Sequence, residues 1–257
     1  FYTFTNHLLV TEDLAERTCN DLLAMADNGR GLNGVILASD LLHKHIRSEH
    51  PDLKLTASIV KVSMEDGRGQ LDYYRDLMER FDSVMLHPDD GYNYALLEQL
   101  DRDKIEILVN ENCAMGCSGR NEDYELMAML QKGPPIKDYA STPLAQHENL
   151  RCRMPLRKLN PASRSCNFTT EEMKRVYDLG FRRFKLQGRR DNLSIFLVDL
   201  LRFATEPELV MPIVFKSFAA GLARGAAGEA FEKLQREELS TESEPMTAEA
   251  EPAEPSL

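Results

Sequence analysis

The feature that most constrains this chain is an alternation. Short apolar runs rich in β-branched residues recur with amphipathic stretches between them. The runs fall at Tyr2–Leu9, Gly34–Ala38, Leu55–Val62, Ser83–His87, Ile105–Asn110 and Phe181–Gln187. Val35, Ile59, Val84 and Ile107 sit in the middle of theirs, as expected of strands buried on both faces. Helical periodicity fills the gaps over Thr11–Ala26, Asp40–Ser48, Leu71–Arg80, Tyr94–Leu100, Asn121–Gln131 and Thr169–Asp178. Thr11-Glu-Asp and Thr169-Thr-Glu-Glu supply hydroxyl caps followed by acids suited to the positive helix end. Gly180 is a helix stop, with Phe181 opening the next strand.

Repeated β-then-α units imply parallel strands with right-handed crossovers. The predicted fold class is α/β, a (β/α) TIM-like barrel, although periodicity alone does not separate it from an open doubly wound sheet. Such a barrel has eight strands. Leu150–Leu156 is a candidate seventh, and the eighth either precedes Phe1 or is absent. At 257 residues the chain suits one barrel-sized domain, expected over residues 1–236. That domain carries a proline-rich insertion at 133–165 and a helical segment at 207–234.

Residues 237–257 hold seven Glu and no Lys or Arg, so they contribute −7 of the net charge of −11. This Glu/Pro/Ser/Thr/Ala-rich tail reads as disordered. The near-balanced remainder excludes broad charge-driven nucleic-acid binding. A local basic segment (Arg182, Arg183, Lys185, Arg189, Arg190) keeps an RNA or protein partner open. No apolar run approaches the ~20 residues that span a bilayer, so no membrane partner is expected. Five cysteines, an odd number in a chain of this size, fit reduced thiols in a cytoplasmic protein.

In parallel α/β folds, ligands meet the carboxyl ends of the strands. Here those ends read Ser39-Asp40, Lys61-Val-Ser63, His87-Pro-Asp89-Asp90, Asn110-Glu111-Asn112-Cys113 and Gln187-Gly-Arg189. His87, Glu111, Cys113 and Arg189 are therefore expected around one rim. Cys113-Ala-Met-Gly-Cys117 sets two thiols four apart with a glycine to bend the chain, so both can face one metal, and a following helix offers free N–H groups. Cys152 and Cys166 lie in or beside the irregular insertion, which could fold back and supply them as further ligands. Four cysteines suit a tetrahedral zinc or a cubane cluster. Cys19 reads as a small core residue, His7 and His87 as strand-end groups, and His43, His45, His50 and His147 as surface positions.

Val109-Asn-Glu-Asn-Cys113-Ala-Met-Gly-Cys117-Ser-Gly-Arg120, followed by Tyr124, resembles the central motif of the U32 peptidase family. Asp178-Leu-Gly-Phe-Arg-Arg-Phe184-Lys-Leu-Gln-Gly188-Arg189 resembles its later segment. Glu111, Cys113, Cys117, Arg120, Lys185, Gly188 and Arg189 are the matching positions. Asp123 and Gln187 depart from the pattern, where relatives often carry His and Glu, and the cysteine spacing beyond Cys117 differs as well. The resemblance implies a barrel, with either peptidase activity or iron–sulfur-dependent hydroxylation of quinone precursors or RNA. On that reading a 4Fe-4S cluster sits on Cys113, Cys117 and Cys152, with Cys166 as a fourth ligand, and zinc is the alternative metal. Glu111, His87, Lys185 and Arg189 then line the substrate end. Glu111 handles protons, and Lys185 or Arg189 orients an anionic group of a substrate the sequence does not name. A carboxylate-assisted or metal-dependent peptidase and a non-catalytic binding subunit are the alternatives.

Overall fold

The computed structural model describes residues 1–133, 137–138, 141–147, 164–187, 193–206, 208–217, 219–221 and 224–225. Six strands form one all-parallel sheet: β1 (Tyr2–Phe4), β2 (Gly34–Leu37), β3 (Lys54–Ala57), β4 (Ser83–Met85), β5 (Ile105–Leu108) and β8 (Phe184–Lys185). Each arises in one of the six apolar runs. Their order, β1-β2-β3-β4-β5-β8, follows the chain without reversal. A doubly wound sheet reverses at a switch point; this one does not, and it curls into a half-barrel.

Register assigns the two faces. The pairings Ile36↔Thr56, Thr56↔Ser83, Met85↔Glu106 and Leu108↔Lys185 put these side chains on one face, because side chains alternate along a strand. Thr56 and Ser83 hydrogen-bond there at 2.7 Å, fully buried. The other face carries Val35, Leu37, Leu55, Val84, Ile105 and Ile107, all buried. The amphipathic helices α1 (Arg17–Ala26), α2 (Asp40–Glu49) and α4 (Leu71–Arg80) bury Leu23, Leu42, Ile46, Tyr74 and Leu77.

The expected strand at Leu55–Val62 is wrong in its second half. β3 stops at Ala57, and Ser58 accepts a hydrogen bond from Val60 N–H at 3.1 Å, starting the short helix α3 (Ile59–Met64). Lys61 and Ser63 therefore lie on a helix, not at a strand end. Thr11–Ala26 is likewise two elements, a 3₁₀ turn over Thr11–Ala15 and then α1. Glu16, not Thr11, caps α1, accepting from Thr18 and Cys19 N–H. Cys19 is half-buried beside that carboxylate rather than in the core, and burial pushes its thiol up to about 11. His43, His45 and His50 are half-buried, not surface groups. His43 reaches the Arg80 carbonyl at 3.1 Å, and His50 pairs with Asp27 at 2.9 Å.

α5 (Tyr94–Leu97) follows β4 through a 3₁₀ turn at Pro88–Tyr92. After β5 the chain leaves the sheet. β6 (Asn110–Ala114) pairs antiparallel with β7 (Ser165–Asn167), Asn110 opposite Asn167 and Ala114 opposite Ser165, with a register irregularity between. α6 (Arg120–Lys132) comes next, then α7 (Pro143–His147) and α8 (Thr170–Asp178), with Thr169 and Glu172 in a reciprocal capping box. Gly180 has φ 102°, a left-handed conformation suited to glycine, and ends α8 as its position in the sequence implied. α9 (Leu193–Ala204) follows β8.

The chain divides into two compact units, Phe1–Asp199 and Leu200–Leu257. In the second, residues 208–217 are helical, and Leu209, Met211 and Phe215 are exposed. The candidate strand Leu150–Leu156 and the tail at 237–257 lie outside the described residues. No helix among the described residues is long and apolar enough to cross a membrane.

Candidate functional site

α6 gathers the site. Its first residue, Arg120, is 4% exposed. One turn on, Tyr124 packs against Ile36, Ile59, Met85 and Leu108, which come from β2, α3, β4 and β5. Asn121 is tied to α3: its side-chain amide donates to the Ser63 carbonyl (3.1 Å), and Ser63 Oγ donates to Asn121 Oδ1 (2.6 Å). Further along, Asn6 donates to the Ala128 carbonyl at 2.9 Å and Lys132 to the Leu8 carbonyl at 3.0 Å. α6 thus spans from the end of the β5–β6 segment to the loop after β1, lying over the inner face of the sheet at its carboxyl end.

Beneath the start of α6, four chemistries converge on one guanidinium. Arg120 Nη2 lies 3.8 Å from Asp89 Oδ1, and Nη1 lies 3.7 Å from Glu111 Oε2. These are ion-pair separations, longer than hydrogen bonds. Nη2 also approaches Cys166 Sγ at 3.8 Å, and the guanidinium donates to the Tyr124 hydroxyl. Although burial works against its charge, the neighbouring Cys113, Tyr124 and Glu111 raise the Arg120 pKa further. Burial in turn pushes the Tyr124 hydroxyl up to about 12. Attraction to two carboxylates offsets part of the desolvation cost that a buried cation carries.

His87 lies two residues beyond β4, at the start of the 3₁₀ turn Pro88–Tyr92, and is 3% exposed. Tyr74 on α4 fixes it from behind: the His87 backbone N–H donates to the Tyr74 hydroxyl (3.0 Å), which donates to Asp90 (2.7 Å). His87 Nδ1 accepts from the Asp89 backbone N–H at 3.2 Å, so the proton of the neutral ring sits on Nε2. Burial, then the charge of Arg120, holds the His87 pKa down at about 4.

Asp89 accepts from Arg68 (2.9 Å), from the Gly116 backbone N–H (3.1 Å) and from the Cys166 thiol (3.2 Å). Hydrogen bonds from Cys166 and Gly116 lower its pKa against burial. The Cys113–Cys117 segment bends as its glycine implied, with Gly116 at φ 66° and Cys117 N–H donating to the Ala114 carbonyl at 3.2 Å. Glu111 Oε1 accepts the Cys113 backbone N–H at 2.9 Å. His87, Arg68, Cys117, Ser118 and Arg120 line one polar cleft of about 460 Å³.

Of the expected rim residues, His87 lines this cleft, as does the expected ligand Cys117, and Glu111 joins it through Arg120. Cys113 belongs to the same group electrostatically. Lys185 stands on the inner sheet face, its ammonium 3.5 Å from Met85 Sδ. Cys152 and Arg189 lie outside the described residues. Cys166 is 0% exposed, and burial, with Asp89 as hydrogen-bond acceptor, pushes its thiol well above the usual range. Among the described residues no group of three or more His, Cys, Asp or Glu is arranged to hold a metal. A cluster therefore does not fit the described residues alone, and no step is derived through one.

Sequence reasoning missed Asp89 and Arg120 as the hub. Asp89 is marked only as a polar strand end, and Arg120 only as a motif position. Nothing in a linear pattern joins residues 89, 111, 120 and 166. No family model, curated protein or solved structure matches the chain.

Proposed function

We propose that the chain is a U32-peptidase-like barrel enzyme, with the six-stranded half-barrel as its recognisable part, that binds an anionic substrate at the carboxyl end of β4 and β5. The observation carrying this reading is the Arg120 guanidinium. It is buried beside a cleft, at ion-pair rather than hydrogen-bond distance from its carboxylates, and next to a neutral histidine. Arg68 adds a second, more exposed cation at the same cleft. A cleft with two guanidiniums and a helix start recognises carboxylate or phosphate oxygens. His87, neutral with its proton on Nε2, donates to the bound group, and Asp89 holds the ring in that tautomer through its backbone. Glu111 keeps Arg120 oriented while binding the Cys113 backbone. Lys185 and Arg189 remain the further candidates for contact with the substrate.

Turnover of an anionic metabolite library by the purified chain tests this. Activity on at least one anion, abolished by His87→Gln, supports it. Activity confined to neutral compounds, or unaffected by that substitution, contradicts it.

The second reading is a 4Fe-4S protein, with zinc as the competing metal. It is favoured by Cys113 and Cys117, half-buried on either side of the Gly116 bend beside the same cleft. Cys152 is the third ligand in that reading, and Cys166, whose thiol donates to Asp89, is the candidate fourth. Such a cluster supplies electron transfer when bound. Iron and sulfide analysis after anaerobic purification decides between cluster, zinc and neither, and a colourless, iron-free protein removes the cluster.

A further inference from the structure

A second polar cleft, of about 370 Å³, opens at the carboxyl ends of β1, β2 and β3, on the other side of α3 from the His87 cleft. Lys61 lies at its base, 1% exposed, with its ammonium 2.8 Å from Asp40 and 2.6 Å from Glu65. Arg80 also reaches Asp40 (2.9 Å), and the Tyr73 hydroxyl donates to Glu65 (2.7 Å). These two carboxylates are matched within the fold.

Two other lining groups are not. Both ring nitrogens of His7 are buried and, among the described residues, have no hydrogen-bond partner. Leaving such groups unsatisfied costs about 1–3 kcal/mol, so an orphan needs an explanation. Glu125, exposed on α6, is the carboxylate whose charge acts on His7, and among the described residues it has no ion-pair partner. The second torsion of a histidine is broad, so a turn of the ring presents a nitrogen to the cleft at little cost. The neighbours Leu8, Ala38 and Met64 are apolar.

An imidazole nitrogen and a carboxylate are both acceptors, and Glu125, the lining carboxylate that Lys61 and Arg80 do not match, opposes an anion. Among the described residues no group is arranged for a metal. We propose that this cleft binds a primary alkylammonium group, held between His7 and Glu125 with its stem against Leu8 and Met64. The group arrives either as a free small amine or as a lysine side chain. The site is independent of the anion reading of the His87 cleft.

The test uses the full chain with ¹³C-labelled histidine, assigning His7 by its loss in His7→Asn. The probes are n-butylammonium, Nα-acetyl-lysine amide and the uncharged isostere n-butanol, at neutral pH and constant ionic strength. Saturable movement of the His7 ring signals with an amine, but not with n-butanol, is expected, while the His87 signals stay still. Glu125→Gln, a conservative change at an exposed position, should weaken that binding about tenfold, the equivalent of ~1.4 kcal/mol. Tighter binding of acetyl-lysine amide than of butylammonium identifies a lysine side chain as the ligand; binding of butylammonium alone identifies a free amine. No saturable shift with either amine, equal shifts with n-butanol, or an unchanged affinity in Glu125→Gln overturns the proposal.

Discussion

The sulfur of Cys166 lies 3.2 Å from Asp89 Oδ1, with the thiol as donor and the carboxylate as acceptor. Burial and this acceptor keep the proton on sulfur. Since the thiolate is the reactive form, Cys166 should resist alkylation in the folded protein. Mass spectrometry after a brief native iodoacetamide pulse is expected to find Cys113 and Cys117 modified well before Cys166. Equal labelling of all three would show that the thiol is open and ionised.

Arg120 is the cation that Asp89 and Glu111 share. Removing it leaves Glu111 without its cation under α6 and Asp89 with Arg68 as its remaining one. Breaking a buried pair by deleting one partner costs about 3–5 kcal/mol, so Arg120→Met should lower unfolding free energy by that order in a denaturant titration. Arg120→Lys keeps the charge but not the fork and should lose less. A loss near zero for Arg120→Met would mean that the cluster is wetter than its burial indicates.

The acid sensitivity of His87 follows from its lowered pKa. A histidine ordinarily at 6.5 is held at about 4 in the folded chain, so the unfolded state binds the proton first. Its contribution to stability is present in full above pH 6.5, falls as pH drops from 6.5 towards 4, and then levels off. The loss over that window amounts to roughly 3 kcal/mol. Replacing it with Asn should flatten the pH dependence of stability there relative to wild type. Parallel curves for the two proteins would place the histidine in solvent.

Tyr124 anchors α6 to the inner sheet face through Ile36, Ile59, Met85 and Leu108. Tyr124→Ala removes that contact and should cost about 2–3 kcal/mol, at the low end for a large-to-small change because the ring is only partly buried. Tyr124→Phe should cost less, losing only the hydroxyl that Arg120 meets. Equal losses would mean that the hydroxyl, not the ring, holds the helix.

The sheet was legible because each of its strands is a local event. Val35, Val84 and Ile107 announce doubly buried strands by composition, and Gly180 and Thr169 announce helix ends by capping chemistry. Ile59-Val60-Lys61-Val62 misled for the same reason. β-Branched residues favour strands, yet Ser58 caps a helix there and Ile59 is buried within it. Tertiary packing overrode propensity. β7 was not foreseen because three residues, Ser165–Asn167, form a strand only by pairing with β6 some fifty positions earlier. The site was half legible. Strand ends marked His87, Asp89 and Glu111, but the salt-bridged hub exists only once α6 is laid over the sheet. That placement depends on contacts such as Asn6–Ala128, which are 122 residues apart.

The central claim is that the cleft at Arg68, His87 and Arg120 receives an anion. Its most direct test is a calorimetric titration of the full chain with small carboxylates and inorganic phosphate at low ionic strength. It should be run beside Arg68→Gln, a change at an exposed side chain that leaves Arg120 and Glu111 in place. Saturable binding of at least one anion, weakened about tenfold by that substitution (~1.4 kcal/mol), is the expected result. No binding of any anion, or an affinity the substitution leaves unchanged, would contradict it.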